Sequence, residues 1–206
     1  GMQTRRPIAR RGPWSVLAER PAYENPWMRV TEYDVLRPDG SPGLYGVVSP
    51  KNLAVGVLPV FPDGTTVLVG QHRFTLDAHS WELPEGGGRI DHDPESTARR
   101  ELKEEAGLSA RRWLRFLDYD VSNSITDERA IAFLAWELEE GEPEREAAEA
   151  DMTTRRVGVQ EALAMAMAGE IRDGFTLAML AAADYMARHG RLEPDLARAV
   201  LADRSG

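Results

Sequence analysis

Apolar and polar residues alternate from Met28 to Val35 (Met-Arg-Val-Thr-Glu-Tyr-Asp-Val). A period of two puts one face of an extended strand inside and the other in water. Pro38-Asp39-Gly40 carries turn chemistry, and Leu44–Val48 reads as the returning strand. The pair predicts a small N-terminal sheet, preceded by an irregular arm with Arg and Pro over residues 1–22. Residues 53–60 are almost continuously apolar, as in a buried strand. Pro62-Asp63-Gly64 turns the chain, and Thr66–Val69 is expected as the hairpin partner of that strand. A short strand is predicted over Ser80–Leu83, a glycine loop at Gly86-Gly87-Gly88, and strands over residues 113–121 and 130–138. Residues 139–151 are acidic, rich in Glu and Ala and without an apolar face, and read as a mobile loop or a frayed helix. Gln160–Gly169 and Phe175–Arg188 read as helices, the second with an apolar stripe. Strands mixed with a few helices predict an α/β or α+β sandwich, and no internal repeat is visible.

The strongest local signal is a helix of roughly three turns between Asp93 and Gly107. Asp93 is a good N-cap, and Pro94 stands at the first helical position, where a missing N–H costs nothing. Gly107 suits the left-handed residue that ends a helix. Ala98, Leu102 and Ala106 are spaced by four and form the stripe to be buried. Glu101, Glu104 and Glu105 are related by steps of three and four, so their carboxylates project from one face. Carboxylates so grouped repel unless a cation or an arginine sits among them. Arg100, four residues before Glu104, can pair with it, and Mg²⁺ prefers oxygen ligands of this kind. The glycines ahead of the helix let backbone approach a phosphate or metal closely. Taken alone, such an acidic run would be a solvated helix face.

Composition narrows the class. A chain of 206 residues, 42% hydrophobic and 29% charged, is long enough for one sizeable core or a core with a small extra lobe. No apolar run approaches the roughly 18 residues of a membrane span. The N-terminus is basic without an apolar stretch, so no secretory signal is expected, and Gly1 before Met2 reads as a scar of tag removal. Cysteine is absent, which excludes disulfides and thiolate metal sites and fits the cytoplasm. A net charge of −9 argues against a nucleic-acid surface, which needs clustered Lys and Arg. It does not argue against a small phosphorylated substrate held through a divalent cation.

The stretch GGGRIDHDPESTARRELKEEAGL, from Gly86 to Leu108, resembles the Nudix box, G-x5-E-x7-R-E-U-x-E-E-x-G-U with U aliphatic. Gly86, Arg100, Glu101, Leu102, Glu104, Glu105, Gly107 and Leu108 stand where the pattern asks, and His92 replaces its first glutamate. His92 is open to two readings, an exposed loop histidine or a substrate contact. The resemblance implies a Nudix α/β/α sandwich with a small N-terminal antiparallel β lobe. Residues 1–50 would be the arm and lobe, serving dimerisation and part of the substrate site, and residues 51–206 the hydrolase domain. Gln71-His-Arg73-Phe74 ahead of Trp81–Gly86, and Gly169–Leu177 further on, are similar to the branch that contains ADP-ribose pyrophosphatases. The likeness covers about 160 residues, from Trp27 to Arg188.

That likeness implies a set of roles. Glu101, Glu104 and Glu105, with the backbone carbonyl of Glu85, would hold Mg²⁺, with Mn²⁺ as an alternative. Arg100 and Glu104 join the catalytic set. Glu149 would be the general base, with Asp151 as the second choice in the same acidic loop. Arg73 would contact the diphosphate, Trp27 and Tyr45 would sandwich the adenine, and Glu128 would touch the substrate. As plain strand residues, Trp27 and Tyr45 equally fit packing within the lobe. The implied reaction is hydrolysis of the pyrophosphate bond of a nucleoside diphosphate sugar, ADP-ribose giving AMP and ribose 5-phosphate, in a cytoplasmic homodimer with no nucleic-acid or membrane partner. Ser122-Asn123-Ser124, without the proline and glycine of that branch, weakens ADP-ribose as the specific substrate. Two alternatives stand beside it, hydrolysis of another sugar nucleotide such as GDP-mannose and a nucleotide-sensing domain without turnover.

Overall fold

The computed structural model describes residues 5–203 and divides them into two compact units. Gly1, read as a scar, and the first residues of the arm lie outside the described range. The first unit holds the chain up to Leu53 together with Asp120–Arg129. The second holds Ala54–Tyr119 and the chain from Ala130 onward.

The first unit is a four-stranded antiparallel sheet in sequence order, β1 (Ala9–Arg11), β2 (Trp14–Glu24), β3 (Met28–Leu36) and β4 (Pro42–Pro50). The alternation along Met28–Val35 is therefore a strand, but the arm expected to be irregular contributes two more. The correction has a physical reason: β2 is not a clean alternation. Its register against β3 shifts between Val16 and Ala18 and again between Pro21 and Tyr23. Such bulges break the period of two that a pattern search looks for. One inner face is set by Val16 opposite Val35, at 4% and 5% exposure. On the wet face Arg20 bridges Glu32 and Asp34 at 3.0 and 3.2 Å, exposed pairs worth little stability. Segment 120–129 joins this unit by adding to β4. Val48 N–H donates to Ile125 O at 2.9 Å, and Thr126 Oγ1 donates back to Val48 O at 2.6 Å.

In the second unit, β5 (Asn52–Val60), β8 (Glu85–Arg89), β9 (Leu108–Asp120) and β10 (Arg129–Glu140) form one sheet in the order β8-β5-β10-β9. A second sheet has β6 (Thr65–Arg73) between β11 (Thr153–Gly158) and β7 (Ala78–Glu82). The expected hairpin of residues 53–60 with 66–69 does not form. β5 runs parallel to β10, with Val55 opposite Ile131, and β6 pairs with other strands. A strand with Val55, Val57 and Leu58 fully buried belongs inside a sheet, and β10 offers it an equally apolar neighbour. The glycine loop at 86–88 is also corrected, since those residues are the strand β8.

Four helices complete the unit: α1 (Pro94–Ala106), α2 (Val159–Met167), α3 (Gly174–Arg188) and α4 (Pro194–Leu201). α1 has the predicted ends. Asp93 accepts the Glu95 N–H, and Gly107 adopts φ 69°. Ala98 and Leu102 are fully buried, and Ala106 half-buried. Neither β11 nor α4 was expected from the pattern. Phe175 and Met179 of α3 close over Gly56 of β5, where a Cβ would come within 2.9 and 2.7 Å of them. The acidic segment after β10 is not a free loop. Gly141 N–H donates to Gly107 O at 2.7 Å and Glu144 N–H to Glu104 O at 2.9 Å, so it caps the end of α1. A short 3-10 turn, Ala147–Glu149, follows. With no apolar face to bury, the segment is placed by backbone hydrogen bonds to α1 instead.

Candidate active site

α1 carries its carboxylates where its spacing puts them. Glu101 and Glu105 are buried, at 7% and 2% exposure, and Glu104 is half-buried beside them. The capping segment after β10 adds Glu149. Carboxylate oxygens of Glu101, Glu105 and Glu149 all lie within 4.8 Å of one another. Glu149 is itself held by a reciprocal capping box, in which its Oε1 accepts the Glu146 N–H at 3.1 Å.

Burial of like charges shows in the titration of these groups. Burial pushes the Glu101 carboxyl up to about 7, against the opposing pull of Arg100. Burial, then the neighbouring Glu101, then the hydrogen bond with Glu149 push Glu105 up to about 9. Glu104 is raised by burial as well. Arg100 is the nearest cation, at 3.4 Å from Glu101 and 3.6 Å from Glu104, and it also donates to Gly87 O at 3.2 Å. Its geometry is that of long, loose pairs, so the repulsion among the carboxyls is left to be relieved by protons or by a cation. An oxygen-only donor set with two buried carboxylates suits a hard divalent cation. Backbone completes the pocket. Glu85 N–H donates to Glu105 Oε2 at 3.2 Å, and a Cβ on Gly86 would fall onto the Glu101 carboxyl. A larger residue at that position would displace the Glu101 carboxyl.

A second acidic cluster was not foreseen. Glu82, Glu85 and Asp173 also bring oxygens within 4.8 Å of one another. Arg73 meets it with a two-pronged pair to Glu82, Nε to Oε2 at 2.9 Å and Nη2 to Oε1 at 2.5 Å. The Glu82 pair holds the guanidinium charged well beyond its ordinary range. Burial, then the hydrogen bond with Asp173, hold the Glu85 carboxyl well above the usual range. Burial works on Asp173 in the same sense, but hydrogen bonds from Glu85 and Thr176 outweigh it and lower that group. Asp173 is the N-cap of α3, accepting the Thr176 N–H at 3.0 Å. A capping signal was present in the sequence, Asp followed three residues later by Thr176, but nothing local links it to β7 and β8.

The remaining candidates are spread. Asp151 Oδ2 accepts the His72 N–H at 3.3 Å, near the end of β6, and is not a member of the Glu149 cluster. His92 is exposed in the turn before α1. Trp27 and Tyr45 are not brought together. Trp27 is 71% exposed in the turn between β2 and β3, whereas Tyr45 sits within β4 opposite Tyr33. Tyr45 lies edge-on to Trp14 at 5.5 Å and donates its hydroxyl to Ser124 O at 2.6 Å. With Arg11 over the Tyr33 ring, these residues and segment 123–127 line a cavity of about 280 Å³. Glu128, half-buried in the same unit, has its carboxyl raised by burial.

Comparison with known proteins gives the same direction. The sequence profile of the NUDIX domain matches residues 50–177, and that of the nucleoside diphosphate sugar hydrolase N-terminal domain matches residues 14–48. An ADP-ribose pyrophosphatase of Mycobacterium tuberculosis (strain ATCC 25618 / H37Rv) is 36% identical over 129 residues, 61% of this chain. One of Bacillus subtilis (strain 168) is 33% identical over 144 residues, 69% of this chain. The chain spans 61% of the length of the first relative and 77% of the second. A crystal structure of an ADP compounds hydrolase superposes with TM-score 0.76 at 15% identity, covering 87% of this chain and 97% of that one, which establishes the shared fold.

Proposed function

This chain belongs to the Nudix family, and on that premise we propose that it is a divalent-metal-dependent hydrolase of a nucleoside diphosphate sugar, with ADP-ribose cut to AMP and ribose 5-phosphate as the first candidate reaction. The observation that carries the reading is the cluster of Glu101, Glu105 and Glu149, three carboxylates converging without a tightly paired arginine. The match of residues 14–48 to the N-terminal domain of nucleoside diphosphate sugar hydrolases supports the substrate class.

Glu101, Glu104 and Glu105 would hold the metal, Mg²⁺ or Mn²⁺, with the Glu85 carbonyl as a further oxygen and Glu149 beside them as the general base. Bound there, the ion supplies charge neutralisation on the diphosphate and a water of lowered pKa. The chain's own groups do the rest. Arg100 holds Glu101 and Glu104 and links them to the Gly87 carbonyl. Arg73, its Nε and Nη2 engaged by Glu82, keeps Nη1 for a phosphate oxygen. The water oxygen bonds to one phosphorus, the anhydride P–O bond breaks, and the leaving phosphate takes the electron pair. We assign acceptance of the water's proton to Glu149, whose carboxylate lies within 4.8 Å of those of Glu101 and Glu105. Glu128, Tyr45 and Trp27 are assigned to the nucleoside end of the substrate.

Residues 1–50 would serve as the dimerisation lobe and 51–206 as the hydrolase domain. We place the protein in the cytoplasm as a homodimer, without nucleic-acid or membrane partners. Tyr23, Trp27 and Leu44 are exposed on the first unit, as a dimer surface would require, and among the described residues no helix is long and apolar enough to cross a membrane.

The test is incubation of the purified protein with Mg²⁺ and a panel of ADP-ribose, GDP-mannose and other sugar nucleotides. Release of AMP and ribose 5-phosphate, abolished by EDTA, is expected. Hydrolysis of GDP-mannose alone would move the substrate. Binding of nucleotide without product from any member would overturn hydrolysis in favour of a sensing domain.

A further inference from the structure

The bend between β7 and β8 is tied on two sides within four residues. On one side it meets the carboxylates of α1, through Glu85 N–H to Glu105 Oε2 at 3.2 Å and through Gly86 against the Glu101 carboxyl. On the other it meets the first turn of α3. Thr176 Oγ1 accepts the Leu83 N–H at 3.0 Å and lies 2.9 Å from Glu85 Oε1 and 2.8 Å from Asp173 Oδ2. Thr176 has no exposure to solvent. Its single hydroxyl therefore joins the backbone of one residue of the bend to the side chain of another and to the cap of a helix. α3 is in turn placed by Phe175 and Met179, packed over Gly56 of β5. In between, the Pro84 carbonyl is fixed by the Val57 N–H at 2.9 Å.

We propose that Thr176, on a helix that contributes no carboxylate to the Glu101–Glu105–Glu149 cluster, is a positioning residue for that cluster, setting through residues 83–86 where the Glu85 backbone meets Glu105. The proposal rests on the metal-dependent hydrolase reading above. Groups behind metal ligands orient them, and loss of such a partner costs about 10- to 100-fold in affinity or activity. Displacement of a catalytic group by about 1 Å has an effect of similar size. Asp173 assists by fixing the first turn of α3, and the Thr176 hydroxyl transmits its position to the bend. A plain buried threonine would do neither, and its replacement by an isosteric apolar residue would change stability alone.

The test compares Thr176→Val with Thr176→Ser in the full chain. Valine keeps the shape and removes the hydroxyl, whereas serine keeps the hydroxyl. Mn²⁺ binding to the substrate-free protein is read by electron paramagnetic resonance, and kcat and KM are read with sugar nucleotide and Mg²⁺. The valine variant is expected to bind Mn²⁺ about 10-fold more weakly and to lose about 10-fold in kcat, with KM for the nucleotide changed less than about 3-fold. Serine is expected to restore both. A folded valine variant with wild-type Mn²⁺ affinity and kcat overturns the proposal, as does a serine variant as impaired as the valine one. Should valine prevent folding, Thr176→Ala removes the hydroxyl without crowding and carries the same expectation. Failure of the wild-type protein to bind Mn²⁺ or to turn over would instead strike the hydrolase reading itself.

Discussion

Two triads of acidic side chains lie in the same unit, each with oxygens within 4.8 Å, and they differ in who supplies the positive charge. Glu82, Glu85 and Asp173 have a built-in cation, Arg73, locked by two short bonds, and the donors of a helix N-cap behind Asp173. Glu101, Glu105 and Glu149 are met by Arg100, exposed and at 3.4 Å from Glu101, while Arg145 reaches no closer than the Glu105 backbone carbonyl at 3.5 Å. Burial is similar in kind, so the contrast is one of compensation. Crowding of carboxylates is thus a poor criterion for a metal site. The better one is whether an arginine of the protein already pairs with them, because buried carboxyls without such a partner hold protons that a cation can replace.

The comparison breaks most sharply at Glu105. Glu105→Gln keeps the shape and the helix propensity but removes one ligand charge, and turnover should fall by at least about 10²-fold. A folded variant with near-wild-type turnover at saturating Mg²⁺ would remove Glu105 from the ligand set. Glu149 and Asp151 sharpen the same contrast within one segment. Glu149→Gln should lower kcat by about 10- to 100-fold, whether its carboxylate binds metal or accepts the proton. Mn²⁺ affinity separates the two roles, since only a ligand weakens it. Asp151→Asn should leave kcat within about 3-fold, because its carboxylate caps the His72 N–H instead. Comparable loss at Asp151 would show that the triad is drawn around the wrong residue.

On the compensated side, Glu82→Gln should loosen Arg73 without touching the metal. Loss of one charge-assisted pair predicts a KM higher by about 10-fold, with Mn²⁺ affinity unchanged. A fall in Mn²⁺ affinity equal to that of Glu105→Gln would show that the two triads work as one site.

A last contrast lies in pH dependence, and its sign follows from the raised carboxyls. Glu105 is pushed up to about 9 and Glu101 to about 7, from an ordinary 4.5. The folded, metal-free protein then holds protons that the unfolded chain releases. Their contribution to stability is complete below pH 4.5 and is lost as pH rises through about 7 and about 9. A divalent cation must displace those protons, so its affinity should climb with pH, by up to about 10-fold per pH unit for each proton displaced. Thermal melts with EDTA and with Mg²⁺ should diverge as pH rises. Curves that stay parallel would mean these carboxyls do not titrate on metal binding.

Legibility of this molecule varied with the range of the interactions concerned. Asp93, Pro94, Gly107 and the spacing of Glu101, Glu104 and Glu105 specify α1 from within one segment. Strand β3 was equally readable, because it alternates without a bulge. β2 was not, since its two register shifts hide the alternation behind Val16. The hairpin expected for β5 failed for a different reason: Thr66–Val69 and Ala130–Leu138 are both apolar partners, and no periodicity distinguishes them. Tyr45 and Trp27 looked equivalent as strand aromatics until the register placed one inside β4 and the other in a turn.

What the sequence determined by itself is therefore what neighbours along the chain determine: a capped helix and three carboxylates on one of its faces. Steps of three and four residues carry that information, and tertiary context cannot alter it without breaking the helix. Which carboxylates end up shared was decided only in three dimensions. Glu149 reaches Glu101 and Glu105 because backbone bonds at Gly141 and Glu144 lay its segment along the end of α1. Arg73 is spent on Glu82 because β6 and β7 are antiparallel neighbours. Thr176 meets the bend at Leu83 because Gly56 leaves room for α3 to pack over β5. Each of these joins residues far apart in the chain, where closure entropy and core packing select the partner and local pattern is silent.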